Sequence, residues 1–179
     1  MKFDIMPVAT EKQLYEIYET AVNVWHNYYK GIFSSEQISY MLEFYQSVDA
    51  MRKQIAKGYI YYMLLADNEL AGYLCIKLVN DHVFLERLYV KEEYRRQGLA
   101  KKTLSHIESI FKKPELGYNH VKKIRLRVEK ENRMAQDIYE HLGFNRIREE
   151  NDDIGKGFVC RNYLMERRIG KDAGDGHGE

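Results

Sequence analysis

The amino-acid sequence predicts one α/β domain organised around a central sheet, and three observations carry that expectation. Apolar residues recur at three- and four-residue steps from Leu14 to Trp25, as they do along one face of a helix. A nearly unbroken aromatic and aliphatic run, Tyr59 to Ala66, meets turn chemistry at Asp67-Asn68 and returns as Leu70 to Leu78, the pattern of a hairpin. The next segment, His82 to Val90, is apolar on both faces and so belongs in the middle of a sheet covered on both sides.

The remaining elements follow from local signals. Phe3 to Val8 alternates like a strand, and Thr10 with Gln13 has the spacing of a capping box, so a helix starts there with Leu14, Ile17, Tyr18, Ala21, Val22 and Trp25 facing the core. Ser34 with Gln37 repeats the signature ahead of a short amphipathic helix bearing Ile38, Met41, Leu42 and Tyr45, and Ser47 caps a third helix ending near Gly58. Asn80-Asp81 turns the chain into His82 to Val90. Beyond lie a glycine-containing loop, a helix from Leu99 to about Lys112 and a strand from Lys123 to Val128. A helix from about Arg133 to Leu142 and strands near Phe144 to Arg148 and Gly157 to Glu166 complete the series. Lys123, Arg125 and Arg127 alternate with Ile124, Leu126 and Val128, as on a sheet with one face open to water.

The 179 residues suffice for one core and are too few for two of ordinary size. Without internal repeats or a linker, the domain is read as residues 1–169, and the glycine-rich, charged stretch Gly170 to Glu179 as a disordered tail. A composition of 45% apolar and 31% charged residues is that of a folded globular protein. A formal net charge of +1 offers no global field for a polyanion, which argues against nucleic acid as the main partner. Cys75 and Cys160 lack the close-spaced partners of a zinc site and form no disulfide framework, so no metal is expected. Met1 to Thr10 lacks the apolar core of a signal peptide, and no apolar run approaches the roughly 18 residues that span a bilayer. A cytoplasmic protein without membrane partners is the expectation.

Chemistry concentrates where the central strand Leu88-Tyr89-Val90 runs through Lys91 to Tyr94 into Arg95-Arg96-Gln97-Gly98-Leu99-Ala100-Lys101-Lys102. The first amides of a helix have no internal partner and, with the macrodipole, place about half a positive charge at that end. Arg95, Arg96, Lys101 and Lys102 crowd the same end, where cations oppose the dipole. An anionic ligand resolves the conflict, Gly98 permits close backbone approach, and small Ala100 keeps the first turn open. The plain alternative is a solvated basic turn.

Arg95-Arg96-Gln97-Gly98-Leu99-Ala100 resembles the Q/R-x-x-G-x-G/A pyrophosphate loop of the GCN5-related N-acetyltransferase superfamily. About thirty residues on, Asn132 and Ala135-Gln136-Asp137-Ile138-Tyr139-Glu140-His141-Leu142-Gly143-Phe144 resemble its second motif, again after a strand. The segment around Ser35-Glu36-Gln37-Ile38 and Tyr40-Met41-Leu42, with Asp153-Ile154-Gly155 and Gly157-Phe158, is similar to a bacterial subgroup that includes polyamine acetyltransferases. The resemblance implies a mixed, mostly antiparallel sheet of about six or seven strands flanked by helices. It also implies acetyl-CoA as cosubstrate and direct attack of an amine on the thioester in a ternary complex, with no protein nucleophile.

Roles implied by the resemblance fall on matched positions. The backbone of Leu88, Tyr89 and Val90 would pair with pantetheine, and Arg95 to Lys101 would hold the pyrophosphate. Asn132 is an N-cap by composition and by resemblance also a pantetheine contact, with Ala135 beside it. Tyr139 occupies the position of the acid that protonates the leaving thiolate; its helical register with Ala135, Leu142 and Gly143 also suits a core aromatic, and its place in the motif favours the acid. Glu86, projecting from the face of Phe84, Leu88 and Val90, reads as the base or as half of a structural ion pair. Arg87, on the other face with Val83, Leu85 and Tyr89, reads as a structural ion-pair partner or a snorkelling side chain, without a catalytic role.

Trp25, His26, Tyr28 and Tyr29 cluster where the superfamily builds its acceptor pocket, and aromatic walls can hold a cation; core packing and helix capping are their other readings. Glu36, Asp152 and Asp153 offer carboxylates of the kind a polyamine prefers, or are simply solvated. The leading expectation is an enzyme acetylating a small, polyamine-like primary amine. The alternatives are a protein or peptide amine as acceptor, and a non-catalytic acyl-CoA-binding module. Homodimers are common in the superfamily, and the 15 tyrosines permit one here.

Overall fold

The computed structural model describes residues 1–170, so the expectation for the tail lies, from residue 171 on, outside the described residues. The elements are β1 (Phe3–Pro7), α1 (Glu11–Tyr28), α2 (Ser35–Met41), α3 (Val48–Ala56), β2 (Tyr59–Ala66), β3 (Glu69–Val79), β4 (His82–Val90), α4 (Leu99–Phe111), β5 (Lys123–Glu129), α5 (Arg133–His141), β6 (Asn145–Gly155) and β7 (Phe158–Arg168). No helix among the described residues is long and apolar enough to cross a membrane. The chain forms two compact units: Met1–Leu78 with Leu85–Leu104, and Val79–Phe84 with the residues from Ser105 onward.

In the first unit the expected caps set the helix starts. Thr10 Oγ1 accepts from Gln13 N at 3.3 Å while Gln13 Oε1 accepts from Thr10 N at 3.0 Å, a complete capping box. Ser34 and Ser47 cap α2 and α3 through the amides of Gln37 and Ala50. The buried stripe of α1 is Leu14, Ile17, Thr20, Ala21, Val24 and Trp25. Tyr18 and Val22, expected on it, are only half-buried. Between α2 and α3 the chain forms a π-turn, Leu42–Gln46, that the three-and-four spacing did not foretell. Its Tyr45 carbonyl is taken by Gln54 Nε2 at 2.8 Å, and the side chain of Gln46 is fully buried.

Strands β1, β2, β3 and β4 lie side by side in that order, with β2 antiparallel to β1 and to β3. Asp67 and Asn68 both adopt left-handed φ, 48° and 69°, the geometry of a two-residue hairpin turn. Gly72 is obligatory for a different reason. A Cβ there would stand 2.2 Å from the Tyr89 carbonyl oxygen and 3.0 Å from Val90 Cα, so only glycine lets β3 approach the end of β4.

In the second unit the strand order is β4, β5, β7, β6. β4 runs parallel to β5, registered from His82↔Lys123 to Phe84↔Arg125, and the other pairings are antiparallel. The sheet is therefore mixed and mostly antiparallel, as expected. β6 and β7 form a hairpin of 11 residues a side, longer than the sequence suggested. Ile124, Leu126 and Val128 are buried, while Arg125 pairs with Glu166 at 2.7 Å and Arg127 with Glu150 at 2.5 Å. Arg167 binds the Leu142 carbonyl at 2.7 Å and pairs with Glu108, fastening α4 and the end of α5 to β7.

Candidate active site

The chain leaves β4 through a short 3₁₀ turn, Glu92–Tyr94, and enters α4 by way of Arg96 and Gly98, which both have left-handed φ, 59° and 76°. Lys102 N donates to Gly98 O at 3.0 Å, so Gly98 occupies the N-cap position of α4. A glycine has no side-chain oxygen to offer the next amides, and a Cβ placed on Gly98 would meet no atom within 4 Å. A bare helix start thus opens onto free space, a fit for a diphosphate resting on backbone amides. The crowded cations divide in two. Arg95 Nε donates to Val90 O at 3.0 Å, and Lys102 Nζ lies 5.6 Å from the ring centre of Phe3. Arg96 and Lys101 are exposed beside the loop, and Gln97 Nε2 steadies it through Glu93 O at 3.0 Å.

Strand β4 sorts its side chains by parity. Glu86, Leu88 and Val90 are half-buried, whereas Arg87 and Tyr89 are buried. Arg87 Nη2 reaches the Tyr45 carbonyl at 3.4 Å, and its guanidinium lies 5.9 Å from the ring centre of Tyr61. Burial works against its charge, but Tyr61, Cys75, Tyr73 and Tyr89 outweigh it, and Arg87 holds its proton more firmly than a free arginine. Arg87 does not snorkel, since it is buried, and the group its Nη2 reaches is a carbonyl rather than a carboxylate.

Three of the four residues expected at the acceptor pocket converge, and one does not. Trp25, Tyr28 and Tyr29 pack with Tyr73 and Tyr89, the ring centres of Trp25 and Tyr89 lying 5.4 Å apart and those of Tyr28 and Tyr89 also 5.4 Å. Trp25 Nε1 donates to Tyr73 Oη at 2.8 Å, and the hydroxyls of Tyr29 and Tyr89 are 2.7 Å apart. Burial, reinforced by the neighbouring hydroxyls, raises the pKa values of Tyr29 and Tyr73 well above the ordinary tyrosine value, so both are neutral hydrogen-bonding groups at physiological pH. His26 is exposed and bonds Val22 O through Nδ1 at 2.7 Å, outside the cluster.

None of those four residues lines the cavity of about 620 Å³ in the first unit. Its walls carry Glu16, Glu19, Glu69, Glu92 and Glu93 against Lys91 and Arg95, over an apolar floor that includes Met63 and Leu65. Its charge excess is negative, opposite to that of the loop beside it. Tyr73, the side chain of Tyr89 and this cavity were not foreseen, because they depend on contacts between residues up to 60 positions apart.

The second motif lies in the other unit. Asn132 Oδ1 accepts from Ala135 N at 3.1 Å and caps α5, and both residues are buried. Tyr139 is half-buried, its ring centre 5.6 Å from that of Phe144, whose amide donates to Tyr139 O at 3.0 Å. Gln136 Nε2 donates to Glu129 O at 3.1 Å and Lys130 O at 2.8 Å. Glu129 shares the parity of Lys123, Arg125 and Arg127, which by alternation alone puts it on the open face, yet it is 8% exposed.

Residues 14–144 match the acetyltransferase (GNAT) family. The chain is 29% identical to a spermidine N(1)-acetyltransferase of Thermoplasma acidophilum over 164 residues, covering 89% of this chain and 96% of the relative. It is 31% identical to the ribosomal protein bS18-alanine N-acetyltransferase of Escherichia coli over 87 residues, 49% of this chain and 55% of that one. The crystal structure of a PaiA N-acetyltransferase from Thermoplasma acidophilum in complex with coenzyme A has the same fold, with a TM-score of 0.75 at 24% identity over 94% of this chain and 99% of that one.

Proposed function

From the premise that the chain belongs to the acetyltransferase (GNAT) family and is an N-acetyltransferase, we propose that it moves the acetyl group of acetyl-CoA onto a primary amine of a small, polyamine-like molecule. The observation that carries the reading is the bare start of α4: Gly98 at the N-cap, open space above it, and exposed Arg96 and Lys101 beside amides that no side chain of residue 98 can cap. The amides of Leu99 and Ala100 take the diphosphate oxygens, and the backbone of Leu88, Tyr89 and Val90 receives the pantetheine arm.

The chemistry is direct transfer. An alkyl ammonium with a pKa of about 10 loses a proton, to Glu86 or through water. Its nitrogen lone pair forms the new bond to the acetyl carbon, and the carbon–sulfur bond breaks. The departing thiolate takes a proton from Tyr139, and the second proton of the amine nitrogen, released as the amide forms, returns the tyrosinate to its neutral form. Glu86→Gln should then flatten the acidic limb of the kcat/KM profile, and an unchanged profile removes the base role.

Two observations support a polyamine-like acceptor: the spermidine acetyltransferase relative spans nearly the whole chain, and the cavity with its excess of glutamates suits an extended cation. A peptide amine is the second reading, favoured by the match to the bS18-alanine acetyltransferase over half the chain. The test is thiol release from acetyl-CoA with putrescine, spermidine, spermine and an alanine-first peptide. Turnover with the polyamines and not the peptide is expected. Turnover with the peptide alone transfers the function to protein ends, and tight coenzyme A binding without turnover of any amine reduces the protein to a binding module.

A further inference from the structure

We propose that Glu129 and Gln136 are positioning residues for acyl transfer, fixing the point at which β5 releases the chain into α5 and so the placement of Tyr139. The inference rests on the reading of Tyr139 as the acid, and it is carried by an irregularity where the β5–β7 ladder ends. The two strands are in register to Glu129↔Asn162, and one step further Lys130 N still donates to Arg161 O at 2.7 Å. The return bond is different. Arg161 N donates to the side chain of Glu129, at 2.9 Å from Oε2, while Oε1 accepts from Lys130 N at 3.1 Å.

A carboxylate thus takes a place that a backbone carbonyl fills elsewhere in the ladder. The chain can leave the sheet at Lys130 without orphaning the Arg161 amide, and the carbonyls of Glu129 and Lys130 turn to Gln136 Nε2. Glu129 O also accepts from Asn132 N at 2.9 Å, which seats the cap of α5. Gln136 is 4% exposed. Burial raises the Glu129 carboxyl above the ordinary glutamate value, against the opposing pull of the Arg161 and Lys130 amides.

The consequence reaches Tyr139 through the rigidity of one short helix. Gln136 precedes Tyr139 by one turn, and at the far end Phe144 N holds Tyr139 O. α5 is fastened at both ends, so loosening the junction shifts the residue that must meet the leaving group. Misplacement by about 1 Å can lower a rate by about a hundredfold.

The test is a double-mutant cycle on the full chain, with acetyl-CoA and spermidine as substrates and coenzyme A affinity measured by calorimetry. Glu129→Gln should lower kcat about tenfold while coenzyme A affinity changes less than about twofold. Tyr139→Phe should lower kcat about a hundredfold, and adding Glu129→Gln to it should bring no further loss, because Glu129 acts only through Tyr139. Multiplicative losses in the double variant, or a kcat unchanged by Glu129→Gln, overturn the proposal. A kcat unchanged by Tyr139→Phe beside a loss in Glu129→Gln overturns instead the acid reading and this route with it. Should Glu129→Gln not fold, Gln136→Ala leaves the carboxylate in place and is expected to give the same cycle.

Discussion

α4 and α5 begin under the same physical demand and meet it in opposite ways. Every helix start presents amides that lack an internal acceptor. α5 closes its start from within: Asn132 Oδ1 accepts from Ala135 N, and just before the helix Gln136 Nε2 donates to the Glu129 and Lys130 carbonyls while Glu129 Oε1 accepts from Lys130 N, all three side chains being buried. α4 does not, since Gly98 sits where a capping oxygen would be and cations gather beside it. The difference teaches how a ligand site is distinguished from a structural joint. Where the chain closes its own polar groups it fixes geometry, and the start it leaves open amid opposing charge is the one we propose takes the diphosphate.

The comparison breaks most visibly at α4. Arg96→Glu removes a cation and adds an anion beside the open amides, and a charge-assisted hydrogen bond contributes about 1.5–3 kcal/mol. Coenzyme A affinity should fall by at least about tenfold, with the melting temperature unchanged because Arg96 is exposed. Calorimetric titration beside a thermal melt checks both halves. Intact affinity would make the loop a solvated basic turn.

That contrast was half legible in the sequence. The loop could be read because its signal is local: a glycine, four cations and a preceding apolar strand within about fifteen residues. Thr10, Ser34, Ser47 and Asn132 could be read as caps for the same reason, and each caps its helix. Glu129 could not, because alternation predicts the face of a residue only while the strand lasts, and here the strand ends. The π-turn at Leu42–Gln46 hides in a run whose spacing suits an ordinary helix, and it turns on distant groups, the side chains of Gln54 and Arg87 meeting the Tyr45 carbonyl. The aromatic cluster needed Tyr73 and Tyr89, which strand patterning marks only as core. Local chemistry names helix ends, whereas tertiary contacts decide which polar groups are sealed.

A smaller effect sharpens the comparison from the side of α5. Asn132→Ala removes the acceptor for Ala135 N in a buried setting, where a lost cap costs about 1 kcal/mol. In a chain of this size that lowers the melting temperature by about 2–4 °C. If Asn132 is only a cap, coenzyme A affinity stays within about twofold of the parent while stability drops. If it also meets the pantetheine arm, affinity drops as well, and Asn132→Asp separates the two: aspartate restores the cap, and with it the melting temperature, but has no amide N–H to donate. Stability rescued without affinity would mean that one side chain closes its own helix and serves the ligand as well, and the line between sealed and open helix starts would then run through Asn132.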